Sequence, residues 1–147
     1  MSTNPDLYEQ DFFQWTQTTA ALIRAGKWQE IDPESVAEEI ESLGNRDRRE
    51  LASRIEVLLR HLLKWRYQPS KRSGSWQNTI DTQRTEVVEL LAHSPSLRPT
   101  VPMVLARRYP SARVKALRDT GLPTAMLPEV YPWTAEQVLD ADFWPEA

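Results

Sequence analysis

The stretch 32–68, DPESVAEEIESLGNRDRRELASRIEVLLRHLLKWRYQ, dominates what the rest of the chain must pack against, because both of its ends are written in local chemistry. Asp32 offers a carboxylate to the free amides of a first helical turn, and Pro33 stands at the first helical position, where no amide is needed. Glu34, Glu38, Glu39 and Glu41 follow near the start, and Arg60, Lys64 and Arg66 stand near the finish, the polarity that suits aligned peptide dipoles. Pro69 then disfavours helical geometry at Gln68. The segment therefore reads as a long central helix over about 33–67, with Gly44 and the polar run after it marking a kink or a break. Val36, Ile40 and Leu43 share one face of its first half. Leu51, Ile55, Leu58, Leu59, Leu62 and Leu63 cover a wider arc of the second half, which is expected to be the more deeply buried.

Around this rod the remaining periodicity is also helical. Asp11, with Gln14 three residues on, starts a helix over 12–25 that ends at Gly26, and Trp15 and Trp28 are expected to pack in the core, with Trp28 and Ile31 capping it. Trp76, Ile80, Gln83, Val87 and Leu91 recur at helical spacing and predict a helix over 76–92. Gln83, the polar member of that stripe, must find a hydrogen-bond partner or line a polar pocket. A further helix reaches about residue 108, where Pro110 is expected to interrupt it, and residues 111–119 form the next. The segment 122–147 carries Pro123, Pro128, Pro132 and Pro145 and is expected to run extended, apart from one short helix capped by Thr134 with Gln137 three residues on. Met126, Leu127, Tyr131, Trp133, Phe143 and Trp144 would pin it to the body. No segment alternates as a strand does, so the fold class is all-α: an irregular helical bundle around one long helix, in a single domain of 147 residues.

Charge is unevenly spread. Residues 1–45 hold 2 basic and 9 acidic groups, residues 46–118 hold 16 and 6, and residues 119–147 hold none and 6. Such asymmetry marks a basic face or acidic ends that neutralise a basic middle. The absence of cysteine excludes disulfides, thiolate metal sites and a thiol nucleophile. The acidic N-terminus argues against an export signal, and no apolar run is long enough to span a membrane, so a soluble cytoplasmic chain is expected.

Few residues carry chemistry. Asp47, Glu50, Arg54 and His61 fall within roughly 60° on the helical wheel and would form one polar line beside the apolar face. The acids Glu38, Glu39 and Glu41 lack the Glu-x-x-His pairs of carboxylate-bridged metal bundles: the positions three before His61 and His93 are Leu58 and Leu90, and no metal or cofactor is implied. Residues 46–72 hold 9 basic and 3 acidic side chains with Trp65, Tyr67 and nearby Trp76 available to stack, a composition that nucleic-acid surfaces use. The candidate binding residues are Glu39, Arg54, His61, Lys64, Trp65, Trp76, Gln83 and Arg84, with no catalytic set among them.

The strings YEQDFFQW, AEEIESLG, RRELASRIEVLLRHLLKW, Ser75-Trp76 with TIDTQR after it, SPSLRP, TGLP and DFWPE, in that order, resemble the bacterial family known as domain of unknown function 29. The resemblance covers nearly the whole chain and implies a small all-helical domain without implying an activity. Pro102 and Pro110 depart from the smoother helix that pattern implies. Three readings follow. The first is a non-catalytic interaction or regulatory module whose basic middle or aromatic tail binds another protein or an identical subunit. The second is nucleic-acid binding through Arg46, Arg48, Arg49, Lys64, Arg66, Lys71 and Arg72. The third is an enzyme or metal site around Glu39, His61 and Gln83.

Overall fold

A computed structural model describes the backbone of residues 5–146 and the side chains of residues 7–146. The fold is all-α, with no strand among the described residues: α1 Pro5–Gln10, α2 Phe12–Arg24, α3 Pro33–Tyr67, α4 Gly74–His93, α5 Val101–Thr120 and α6 Ala135–Leu139, joined by short 3-10 turns. Contacts divide the chain into two compact units, Met1–Arg46 and Asp47–Ala147.

In the first unit Asp11 caps α2 by accepting from the Gln14 amide at 3.0 Å. The Gln14 side chain does not reach back; its amide donates to the Thr18 hydroxyl at 3.0 Å, so only half of a capping box forms. The helix ends where Gly26 adopts φ 73°, a left-handed conformation open to glycine. The amides of Gly26 and Lys27 then bond back to Ile23 and Leu22, the paired bonds of a Schellman end. Trp15 is buried and forms a ring cluster with Tyr8 at 4.7 Å and Phe12 at 5.7 Å. At the start of α3, Asp32 accepts from the Glu34 amide at 3.2 Å and from the Ser35 hydroxyl at 2.7 Å, the cap its sequence promises.

One expectation for this unit, the buried Trp28, needs correction, while the first half of α3 is the less buried half, as expected. Trp28 does not cap a core but is 65% exposed, because it sits in a three-residue 3-10 turn, Trp28–Glu30, with no buried residue. On α3, Ile40 is 63% and Leu43 54% exposed, and of that face only Val36 is half-buried. A helical apolar pattern reports which residues share a face and not whether anything covers it.

The second unit holds the main core. Leu51, Ile55, Leu58, Leu59, Leu62 and Leu63 of α3 are all buried, against Ile80, Val87 and Leu91 of α4, Leu105, Tyr109, Ala112 and Ala116 of α5, and Val138 of α6. α4 starts two residues earlier than its apolar stripe suggests, since the Ser73 hydroxyl caps it by accepting from the Trp76 amide at 3.2 Å. α5 runs unbroken through Pro110, contrary to the expected interruption. Proline inside a helix costs about 3 kcal/mol, but Tyr109 and Ala112 on either side of it are buried in one core while Pro110 itself faces out. Burial of both flanks outweighs the lost bond. Gly121, at φ 70°, ends the helix.

Beyond Gly121 the chain is mostly extended, and its carbonyls have no helical partners. Side chains of the body supply the donors. The Tyr109 hydroxyl donates to the Pro128 carbonyl at 2.6 Å. Arg113 Nη2 donates to the carbonyls of Thr124 at 2.8 Å and Leu127 at 3.1 Å. α6 carries the full reciprocal cap, Thr134 N–H to Gln137 Oε1 at 2.9 Å and Gln137 N–H to Thr134 Oγ1 at 3.1 Å.

Candidate functional site

α4 buries a guanidinium. Ile80, Arg84, Val87 and Leu91 recur at spacings of four, three and four, so the polar member of the inward stripe is Arg84, only 2% exposed, rather than Gln83. Arg84 Nε donates to the Val138 carbonyl at 2.8 Å and Nη2 to the Phe143 carbonyl at 2.7 Å. Its Cζ lies 5.5 Å from the centre of the Trp144 ring. That ring packs on Trp65 with centres 4.8 Å apart, and Arg72 lies over Trp65 at 4.8 Å. Arg72 in turn donates through Nε to the Trp65 carbonyl at 2.8 Å and through Nη2 to the Pro145 carbonyl at 3.3 Å. Two arginines and two tryptophans thus form one stack, in which cation–π contact and carbonyl acceptors hold the C-terminal segment. Burial lowers the pKa of the Arg84 guanidinium, with Asp140 and Asp81 opposing the effect from a distance.

The other sequence candidates are spread around this stack or lie apart from it. Lys64 stands over the Trp76 ring at 4.9 Å and pairs with Asp119 at 3.2 Å. Asp119 also accepts a bidentate pair from Arg60 at 2.6 and 2.8 Å, and this partner chiefly holds its carboxyl below the usual range. Arg54 gathers a small polar group, donating to Glu50 at 3.0 Å and to Gln83 at 3.3 Å, with Glu86 at 3.6 Å. Gln83 thereby finds the partner its position requires. Glu39 belongs to the first unit, where the Tyr8 hydroxyl donates to it at 2.6 Å and the tyrosine pKa is pushed up to about 12 by that bond.

His61 does not join the line through Glu50 and Arg54. Its Nδ1–H donates to the Val57 carbonyl at 2.8 Å, one turn back on its own helix. Burial lowers its pKa, with Lys64 and Arg60 adding to the effect, so the ring is held neutral. A general base needs a second group to orient it, and here the backbone takes that role without a carboxylate. Among the described residues no group of three or more His, Asp or Glu side chains is placed to hold a metal ion.

Sequence reasoning missed Arg72, Glu86, Asp119 and Trp144 as partners in these groups. It also missed Glu56, buried between Lys115 and Arg108; burial raises the carboxyl pKa there, but bonds from Lys115 and Ser111 and the charge of Arg108 together bring it below the usual range. The one available signal was the spacing that puts Arg84 on the apolar stripe, overlooked because arginine is seldom fully buried.

These groups fix a pH dependence. The lowered His61 pKa means that the unfolded chain binds the extra proton first as pH falls below about 6.5, so stability present above that value declines toward the folded pKa. Asp119 and Glu56, also depressed, add a second decline that begins near the ordinary carboxylate values of 3.8 and 4.5. Thermal unfolding measured from pH 8 to pH 3 is expected to show both steps, and His61→Gln is expected to remove the first and leave the second.

An all-α chain built on one long helix, with a tail held by arginines and tryptophans, is the class these features define. It belongs to the family described as Domain of unknown function DUF29, whose model matches residues 7–144. No curated protein and no solved structure matches it. No helix among the described residues is long and apolar enough to cross a membrane.

Proposed function

We propose that this chain is a non-catalytic protein-interaction module that receives a basic, amphipathic segment of a partner on its first unit. One observation carries the reading: the exposed aromatic side chains among the described residues, Phe12, Phe13 and Trp28, all belong to Met1–Arg46, with Phe13 72% exposed. That unit holds 9 acidic and 3 basic residues, so exposed rings stand in a negative field that favours a cationic partner. Ile40 and Leu43 add apolar area beside Glu38 and Glu41 on α3. By contrast Lys64 is occupied with Trp76 and Asp119, and Trp65, Arg72, Arg84 and Trp144 with one another or with carbonyls of the chain.

The same engagement weakens the nucleic-acid reading. Of its seven basic residues, Lys64, Arg66 and Arg72 lie over the rings of Trp76, Tyr67 and Trp65, which leaves Arg46, Arg48, Arg49 and Lys71 exposed. A catalytic centre around Glu39, His61 and Gln83 draws no support, since each of these side chains has a separate structural partner.

Isothermal titration of the full chain with a basic amphipathic helical peptide, its acid-substituted counterpart and a DNA duplex tests the proposal. The basic peptide is expected to bind, more weakly at higher salt, and Phe13→Ser with Trp28→Ser to lower affinity at least about tenfold without changing Tm. Equal binding of both peptides, or heat from the duplex alone, would contradict it. Self-association in sedimentation that both substitutions abolish would give the surface to a second copy instead.

A further inference from the structure

α3 is one unbroken helix from Pro33 to Tyr67, yet its middle has no packing of its own. Residues 41–46 and 48–50 are all exposed and Asp47 is half-buried, so every face of about three turns meets solvent. The boundary between the two compact units falls inside this stretch, after Arg46. Among the described residues no side chain of 41–49 enters a hydrogen bond or an ion pair, and the first that does is Glu50, bonded to Arg54 at 3.0 Å.

Only backbone bonds keep these turns helical. Most helical stability in proteins comes from tertiary packing, and a helix of so few residues is marginal in water by itself. The residue types deepen the deficit: Ser42, Asn45 and Asp47 are mediocre helix formers, and Gly44 is worse than any of them. Arg46 stands three residues from Arg49 and Asp47 three from Glu50, so like charges neighbour one another on the helix surface. The turns that follow are different, because Leu51, Ile55, Leu58 and Leu59 are buried. Ile40 and Leu43, the exposed apolar pair of the partner surface, stand at the edge of the weak stretch and inside it.

We propose that residues 41–50 of α3 are a helix–coil switch, opening readily in the free chain and closed by the partner segment. The proposal rests on the partner surface of the first unit. A partner seated on Ile40 and Leu43 meets them on one face only while the backbone between them is helical, so it binds the closed form and draws the equilibrium toward it. Occupancy of that surface is thereby recorded in the backbone around Arg46.

Hydrogen exchange of the full chain tests the switch. In the free protein the amides of residues 45–50 are expected to exchange at least about a hundredfold faster than those of residues 58–63, and equal rates would overturn the proposal. Gly44→Ala needs no repacking, since a Cβ there meets nothing within 4 Å, and it is expected to slow the 45–50 amides about fivefold; an unchanged rate would also overturn the proposal. The basic amphipathic peptide, added at tenfold excess over its dissociation constant, is expected to slow the same amides about tenfold. Binding heat without that slowing would sink the switch and leave the partner surface standing. No binding heat, with exchange that is fast and slowed by the alanine, would remove the partner surface and with it the closing step.

Discussion

Arg84→Met is expected to destabilise the protein by about 3–4 kcal/mol, which corresponds to a fall in Tm of roughly 10 °C for a chain of this size. Methionine fills much of the volume but offers no donor. The carbonyls of Val138 and Phe143, now bonded at 2.8 and 2.7 Å, would be left facing a buried thioether, and the cation over Trp144 would be gone. Two unsatisfied buried acceptors at about 1–3 kcal/mol each, partly relieved by water entering as the tail loosens, set the magnitude. Arg118→Met is the control: that side chain is exposed at the end of α5, and its loss is expected to change stability by less than about 0.5 kcal/mol. Denaturant unfolding of the two variants measures the difference, and equal effects would mean that Arg84 is merely a surface cation with a long stem.

Leu59→Ala is expected to cost about 3–5 kcal/mol, whereas Ile40→Ala, nineteen residues earlier on the same helix, should cost under about 1 kcal/mol. Leu59 is completely buried among side chains of the second unit, so truncation removes transfer energy and leaves a cavity. Ile40, largely exposed, loses little on either count. The two substitutions delete similar side chains from one helix, and helix propensity favours alanine at both positions. The contrast therefore isolates burial. If Ile40→Ala proved as costly as Leu59→Ala, the first half of α3 would have to be covered in solution, and the partner surface proposed on that unit would be unavailable.

What could be read from the sequence was local chemistry. Asp32 and Pro33 open α3, Pro69 follows its end, Gly121 ends α5, and Thr134 with Gln137 caps a helix of only five residues. Each signal involves residues within a few positions of one another. The α1 helix went unseen because a single residue, Asp11, separates it from α2 and its short span carries no apolar period. Pro110 was misjudged for the opposite reason: a local rule was overridden by burial of Tyr109 and Ala112, which only tertiary packing decides. The site was less legible. Trp65 and Arg84 were among the candidates, yet what joins them is Trp144, which lies sixty or more residues away from both and reads as one more apolar anchor in a tail. Likewise the basic stretch 46–72 suggests a binding face until its partners are known, since composition counts charges without showing which carbonyl or ring each one meets.

Amide hydrogen exchange in the C-terminal segment tests most directly whether the arginines serve to hold the tail. The amides of Val138 and Phe143, bonded to the Thr134 and Asp140 carbonyls, are expected to exchange as slowly as the core of α3 in the native protein and at least a hundredfold faster in Arg84→Met. Exchange at the rate of an unstructured peptide in the unaltered protein would contradict the account.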